Sequence, residues 1–143
     1  MTDSESGRGA TPDWYRPLAR RGLAGALGIE LVELTPDRVV ATMPVDDRTR
    51  QPFGILHGGA SIALAETVAS FGAAMRIDRE RFVAVGQEIN ANHLRPKTEG
   101  IVTATAVPVH TGRSTQVWTI EIRDEDGRLV SISRCTMAVV ERR

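Results

Sequence analysis

Residues Gly58 to Met75 read GGASIALAETVASFGAAM, an alanine-rich run with no proline and, Glu66 apart, no charged side chain. Alanine gives up no side-chain entropy in a helix, and proline is the residue that breaks one, so the run predicts a continuous helix. With so little charge to turn toward water, the helix is expected to be buried, an axis around which the rest of the chain packs.

On its C-terminal side, the turn signals Arg95-Pro96 with Gly100, Thr111-Gly112 and Asp124-Glu125-Asp126-Gly127 divide the chain into four strand-like runs. These are Val83 to Leu94, Ile101 to Val109, Ser114 to Ile122 and Leu129 to Val140. In the third, Trp118, Ile120 and Ile122 share one face, while Thr119, Glu121 and Arg123 take the other, the pattern of a half-buried antiparallel strand. On the N-terminal side, Val39, Ala41, Met43 and Val45 alternate with period two, and the turn Thr35-Pro36-Asp37-Arg38 joins them to Ile29 to Leu34 as a hairpin with one buried face. Further back, Trp14, Leu18, Leu23 and Leu27 recur at helical spacing from a cap at Asp13, predicting a short amphipathic helix interrupted by Pro17 and closed by Gly25 and Gly28. Residues Met1 to Pro12 are small and polar and are expected to form a mobile tail, leaving 13–143 as a single domain. The order of elements predicts an α+β fold, one antiparallel sheet wrapped round the central helix, with an open edge that dimerisation would cover.

Bulk properties narrow the function. A length of 143 residues holds one globular domain, and 18 basic against 18 acidic residues give no net field to recruit nucleic acid or an anionic membrane. Cys135 is the only cysteine, which excludes an intrachain disulfide and a cysteine-cluster metal site and fits a reducing compartment. The N-terminus has no apolar signal core and no later stretch reaches the roughly 18 apolar residues of a membrane span, so the cytoplasm is the expected location. With only 4% aromatic residues, the core is built from small aliphatic side chains, and burial shared between subunits would help it.

Glu66 needs an explanation, because an ionised carboxylate in a dry helix without partners costs several kcal/mol. Taken alone, it is either a structural glutamate satisfied by its neighbours or a functional acid. Helical geometry places Ile62, Glu66 and Ser70 on one stripe, so the Ser70 hydroxyl lies one turn beyond the carboxylate, where it can hold water or a substrate group. Upstream, the loop QPFGILHGG, Gln51 to Gly59, runs into the helix start, whose unpaired N–H groups attract negative charge. Gly58 and Gly59 either allow a tight entry turn or let a ligand approach the main chain, with the Gly58 N–H as an oxyanion donor. His57, His93 and His110 show no zinc-site spacing, Cys135 lies in a strand alternation without a nucleophile elbow, and the glycines fit neither dinucleotide nor P-loop templates, so no metal or cofactor is expected. A carboxylate, a hydroxyl, a glycine N–H and the Gln51 amide suit attack on an activated acyl group, and a thioester fits because its thiolate leaves without a strong general acid.

Gln51 with HGGASIALAETVAS, then VGQEINANHLRP and HTGRSTQVWTIEIRDEDGRLVSISRCTMAVV, resembles the hotdog-fold thioesterase family over nearly all of Leu27 to Val140. Within it the chain is similar to the PaaI-like branch, to the 4-hydroxybenzoyl-CoA thioesterase type with a helix glutamate, and to its menaquinone- and enterobactin-pathway relatives. The resemblance implies Glu66 as nucleophile or general base, Gly58 as oxyanion donor, Gln51 and His57 around the thioester, and Ser70 handling water or the acyl group. It further implies a coenzyme A site using Gly59, Arg95 and Gly112-Arg113-Ser114-Thr115, an acyl-CoA substrate, no metal, and a homodimer, usually doubled to a tetramer, whose sites combine two subunits. The acyl group, aryl or medium-chain, depends on residues such as Phe53, Ile62, Phe71 and Met75. Two other readings stay open: a hotdog hydratase or dehydratase, for which no paired acid–base motif is visible, and a non-catalytic acyl-CoA sensor, for which no output module is visible.

Overall fold

The computed structural model describes residues 11–143. Of the expected tail, residues 1–10 lie outside that range. The chain forms helix α1 (Gly22–Ala26), strands β1 (Glu30–Leu34) and β2 (Val39–Pro44), helix α2 (Gly58–Ala74), and strands β3 (Phe82–His93), β4 (Ile101–Thr111), β5 (Thr115–Arg123) and β6 (Leu129–Glu141). The strands make one antiparallel sheet in the order β1-β2-β4-β5-β6-β3, with α2 packed on one face, so the hotdog arrangement expected from the sequence is the one observed.

The four downstream strands and the hairpin appear within two residues of their expected limits, because strict alternation fixes which face is buried. Val39, Ala41, Met43, Trp118, Ile120 and Ile122 all turn inward and are buried. α2 follows β2 and carries the chain across the sheet, so β3 arrives at the far edge, beside β6. There it pairs from Phe82↔Glu141 to His93↔Ser131, with a bulge between Gly86 and Glu88. Its outer edge has no strand partner among the described residues.

α2 meets the sheet through Ala60, Leu64, Ala65, Val68, Ala69, Gly72 and Ala73, spaced three and four apart. Burying Leu64 and Val68 contributes about 1.5–3 kcal/mol each. The closest approach is at Gly72, where a Cβ would sit 2.5 Å from the Trp118 ring, so the largest core side chain fits only because this helix position has none. The Trp118 indole N–H donates to Gln116 Oε1 at 2.9 Å, and Gln116 Nε2 reaches the Ala73 carbonyl at 3.4 Å, tying β5 to the C-terminal end of α2.

Two expectations are corrected. The helix expected from Asp13 is instead a 3-10 turn at Arg16–Leu18 followed by the five-residue α1, because Pro17 has no N–H to continue a helix ladder. Only Trp14 and Leu27 of its presumed apolar stripe pack on the core; Leu18 and Leu23 are exposed. α2, expected to be buried throughout, is buried on one side only. Ile62, Ala63, Glu66, Thr67, Ser70 and Phe71 form a half-open face within the single chain.

Candidate active site

The entry to α2 is built by the loop that follows β2. Thr49, almost wholly buried, donates its hydroxyl to the Pro44 carbonyl at 2.8 Å, and its own carbonyl accepts the His57 N–H at 2.8 Å. The Leu56 N–H bonds to the Lys97 carbonyl at 2.7 Å, and the Gln51 N–H to the Ile55 carbonyl at 2.8 Å. Gly54, with φ at 89°, makes the intervening turn. These bonds fix the loop so that Gln51 faces the helix start.

His57 is the N-cap. Its backbone is extended, and its Nδ1 accepts the Gly59 N–H at 2.7 Å, satisfying one of the orphan donors of the first turn. The Gly58 N–H has no hydrogen-bond partner among the described residues, and points from the positive end of a long helix. A Cβ at Gly58 would lie 2.6 Å from His93 Nε2, so a side chain there would strike the imidazole at the end of β3. A cleft of about 350 Å³ opens at this end, lined among others by Gln51, Gly58, Ser61, His93 and Arg95.

Glu66 and Ser70 lie further along α2, on its half-open face, with Ile62 on the same stripe as expected. A second hollow, about 320 Å³, is lined by Leu23, Ala24, Ala63, Glu66, Ser70 and Phe71, with Thr67, whose hydroxyl donates back to the Ala63 carbonyl at 2.6 Å. The Glu66 carboxylate rests against Gly86 of β3, in the space a Cβ would occupy, at the bulge where the strand's register shifts. The glycine and the bulge together give the carboxylate its seat.

The surroundings of Glu66 also decide the fate of Cys135. Burial, reinforced by the charges of Glu66 and Glu88, pushes its thiol up to about 12. A thiol held protonated is no nucleophile near neutrality, and Cys135 packs as a small core residue 3.6 Å from Met137 Sδ. Among the described residues, no group of three His, Cys, Asp or Glu side chains is placed to hold a metal. No described helix is long and apolar enough to cross a membrane.

Within one chain the expected residues fall into three places. Gln51, Gly58 and Arg95 share the entry cleft, and Glu66 and Ser70 share the hollow. Eight residues of helix, at about 1.5 Å each, set Gly58 and Glu66 about 12 Å apart along the axis. Gly112, Arg113, Ser114 and Thr115 form the β4–β5 turn, closed by the Gly112 N–H on the Thr115 carbonyl at 2.8 Å, at the end of the sheet where Gln116 meets the C-terminus of α2. Arg95 and this turn therefore sit at opposite ends of α2. His57 and Gly59 are exposed at the helix entry, and Phe53 is 91% exposed.

Ser61 and His93 join the entry cleft without having been singled out from sequence. Ser61 lies three residues after Gly58, a spacing that was available to read. His93 had no local signal, since its place beside Gly58 follows from the crossover that carries β3 to the far edge.

Residues 53–131 match the model of the thioesterase superfamily. The chain is 51% identical over 122 residues to the 1,4-dihydroxy-2-naphthoyl-CoA hydrolase of Listeria monocytogenes, covering 85% of this chain and 98% of that one. To the Escherichia coli enzyme of the same name it is 45% identical over 133 residues, covering 93% and 97%. Among solved structures, a mutant of thioesterase PA1618 from Pseudomonas aeruginosa superposes with a TM-score of 0.88 at 42% identity, covering 92% of this chain and 96% of that one. Thioesterase HI1161 from Haemophilus influenzae gives 0.83 at 48% identity, covering 87% of each.

Proposed function

Because this chain belongs to the thioesterase superfamily and is a thioester hydrolase, we propose that it cleaves an aryl- or medium-chain acyl-CoA, with Glu66 as the catalytic carboxylate. The observation that carries this reading is the seat of Glu66. The one acid of α2 lies on the helix's half-open face, cradled at Gly86 and one turn from the Ser70 hydroxyl. The naphthoyl-CoA hydrolases among its relatives support a CoA ester with an aryl group.

Glu66 either attacks the thioester carbonyl or deprotonates the water that does. The carbonyl oxygen gains negative charge as the new C–O bond forms, and the unpartnered Gly58 N–H at the positive end of α2 donates to it. The C–S bond then breaks and CoA leaves as a thiolate. Ser70 positions the water or the acyl group. The Gln51 amide holds the thioester carbonyl, and His57, with Nδ1 committed to Gly59, fixes the entry turn beside it. Arg95, Arg113 and the backbone N–H groups of Gly59, Gly112, Ser114 and Thr115 receive the CoA phosphates. The reaction takes place in the cytoplasm, which the lone cysteine favours.

Gly58 and Glu66 are too far apart in one chain to serve the same carbonyl, so the functional site combines two subunits. The outer edge of β3, which carries Gly86, ends at His93 and has no strand partner among the described residues, is the surface for a twofold partner. Antiparallel pairing there reverses the partner's helix and brings its entry turn toward this chain's Glu66. The same pairing explains how Arg95 and the Gly112–Thr115 turn, at opposite ends of one chain, serve one CoA. A doubled dimer would extend the arrangement.

The direct test is thiol release from aryl, short and long acyl-CoAs by wild type and Glu66→Ala. A fall of about 10²–10⁴ in kcat is expected; near-wild-type turnover would overturn the assignment. Water addition to an enoyl-CoA, or tight CoA-ester binding without thiol release, would favour a hydratase or a sensor instead. The two-subunit site has its own test, in which inactive Glu66→Ala and Gln51→Ala chains are unfolded together and refolded. Mixed dimers hold one intact site, so about a quarter of wild-type activity should return; no recovery would place each site within one chain.

A further inference from the structure

The hollow beside Glu66 has a neighbour further along α2. Ser70 and Phe71 also line an adjoining cleft of about 200 Å³, whose other walls include Trp14, Arg79 and Phe82. Four residues of helix at about 1.5 Å each put Ser70 about 6 Å beyond Glu66. That is the reach of a carbonyl carrying one six-membered ring. An acyl group whose carbonyl sits at Glu66 and whose chain follows α2 therefore arrives among aromatic side chains.

Trp14 is held in place there. The Arg79 guanidinium lies 3.8 Å above its ring centroid, and the Phe71 ring is 6.0 Å away, tilted by 32°. Tyr15, buried next to it, meets Phe71 edge-on at 4.7 Å and fixes the backbone from the other side. The two tryptophans differ in kind: Trp118 is enclosed in the core, whereas Trp14 is half-exposed and borders open space. Glu66, Ser70 and Phe71 fall inside the family match at residues 53–131, and Trp14 falls outside it.

We propose that Trp14, positioned by Arg79 and Phe71, is the specificity-determining end wall of the acyl pocket and favours acyl groups that end in a ring. This rests on Glu66 marking the carbonyl position. An indole face already fixed by its neighbours loses little freedom when a flat group stacks on it, while a short linear chain stops before reaching it. Arg79 is a positioning residue for Trp14, whose ring its guanidinium covers.

The test compares kcat/KM for benzoyl-CoA and butyryl-CoA in wild type, Trp14→Ala, Trp14→Phe, Arg79→Met and Glu66→Ala. Wild type should prefer the benzoyl ester. Trp14→Ala should lower kcat/KM for benzoyl-CoA about tenfold, mainly through KM, and leave butyryl-CoA within about twofold; Trp14→Phe should keep most of the preference and Arg79→Met lose part of it. If Trp14→Ala does not fold, Trp14→Leu, apolar but without a ring face, carries the same expectation. Equal losses on both esters would show a merely structural role, and no loss, or a wild type that favours butyryl-CoA, would equally overturn the proposal. Glu66→Ala separates the premises: if it stays active on both esters the catalytic reading fails, whereas if it is inactive while Trp14→Ala keeps its preference only the end wall fails.

Discussion

The two faces of α2 are made of nearly the same small residues and do different work. Toward the sheet, Leu64, Ala65, Val68, Ala69, Gly72 and Ala73 leave no space and carry no polar group, and Trp118 packs directly on Gly72. Toward the open side, on the other flank of the helix, Glu66 and Ser70 border hollows, and Glu66 meets β3 where it has a glycine and a bulge. Small side chains allow close packing on one side and access on the other. The difference teaches that composition sets where a helix goes, and that the few residues departing from it mark what it is for.

This contrast can be broken at several points. Trp118→Ala should be the most destabilising, at about 3–5 kcal/mol by urea unfolding, because it empties the contact that holds the sheet-facing side. A cost below about 1 kcal/mol would mean that this face is not the packing face. Gly86→Ala acts from the other side. Its methyl group would occupy the seat of the Glu66 carboxylate, so turnover should fall about tenfold or more, with little change in the unfolding midpoint. Unchanged turnover would show that the seat is not needed.

The smallest effect is expected away from both faces, at the β5–β6 turn. Burial raises the Asp124 pKa, but hydrogen bonds from the Arg128 N–H and guanidinium and from the Asp126 N–H outweigh it and hold the carboxyl below its ordinary value. The unfolded chain then binds this proton more readily than the folded one, so the stabilisation is complete above the ordinary carboxylate pKa and is lost as pH falls through the lowered folded value. Asp124→Asn should be modestly less stable than wild type at neutral pH and indistinguishable from it in strong acid, with hydrolysis unchanged. Urea midpoints measured across the acid range check the sign.

Much of this arrangement was legible in the sequence. Period-two alternation fixed the inward faces of β2 and β5, and the proline-free alanine run fixed α2. The half-open face of α2 was not legible, because alanine on all sides leaves little contrast between a side that packs and a side that does not. The N-terminal helix failed at Pro17, where apolar spacing persisted but the backbone bond did not. Glu66, Ser70, Gln51 and Gly58 stood out by residue type and spacing. Their division between two places along α2 depends on helix length, and the approach of His93 and Gly86 to that helix depends on the crossover of β3, which no local pattern encodes.

The central claim is that Glu66 serves chemistry and the sheet-facing residues serve the fold. Glu66→Gln keeps the shape of the side chain and removes its charge. Its kcat on the best acyl-CoA of the panel, measured beside its urea unfolding midpoint, tests that claim most directly. A catalytic carboxylate predicts a loss of about 10²–10⁴ in kcat with the midpoint unchanged or raised. Turnover within a few-fold of wild type, or a loss of activity that merely tracks a loss of folded protein, would contradict it.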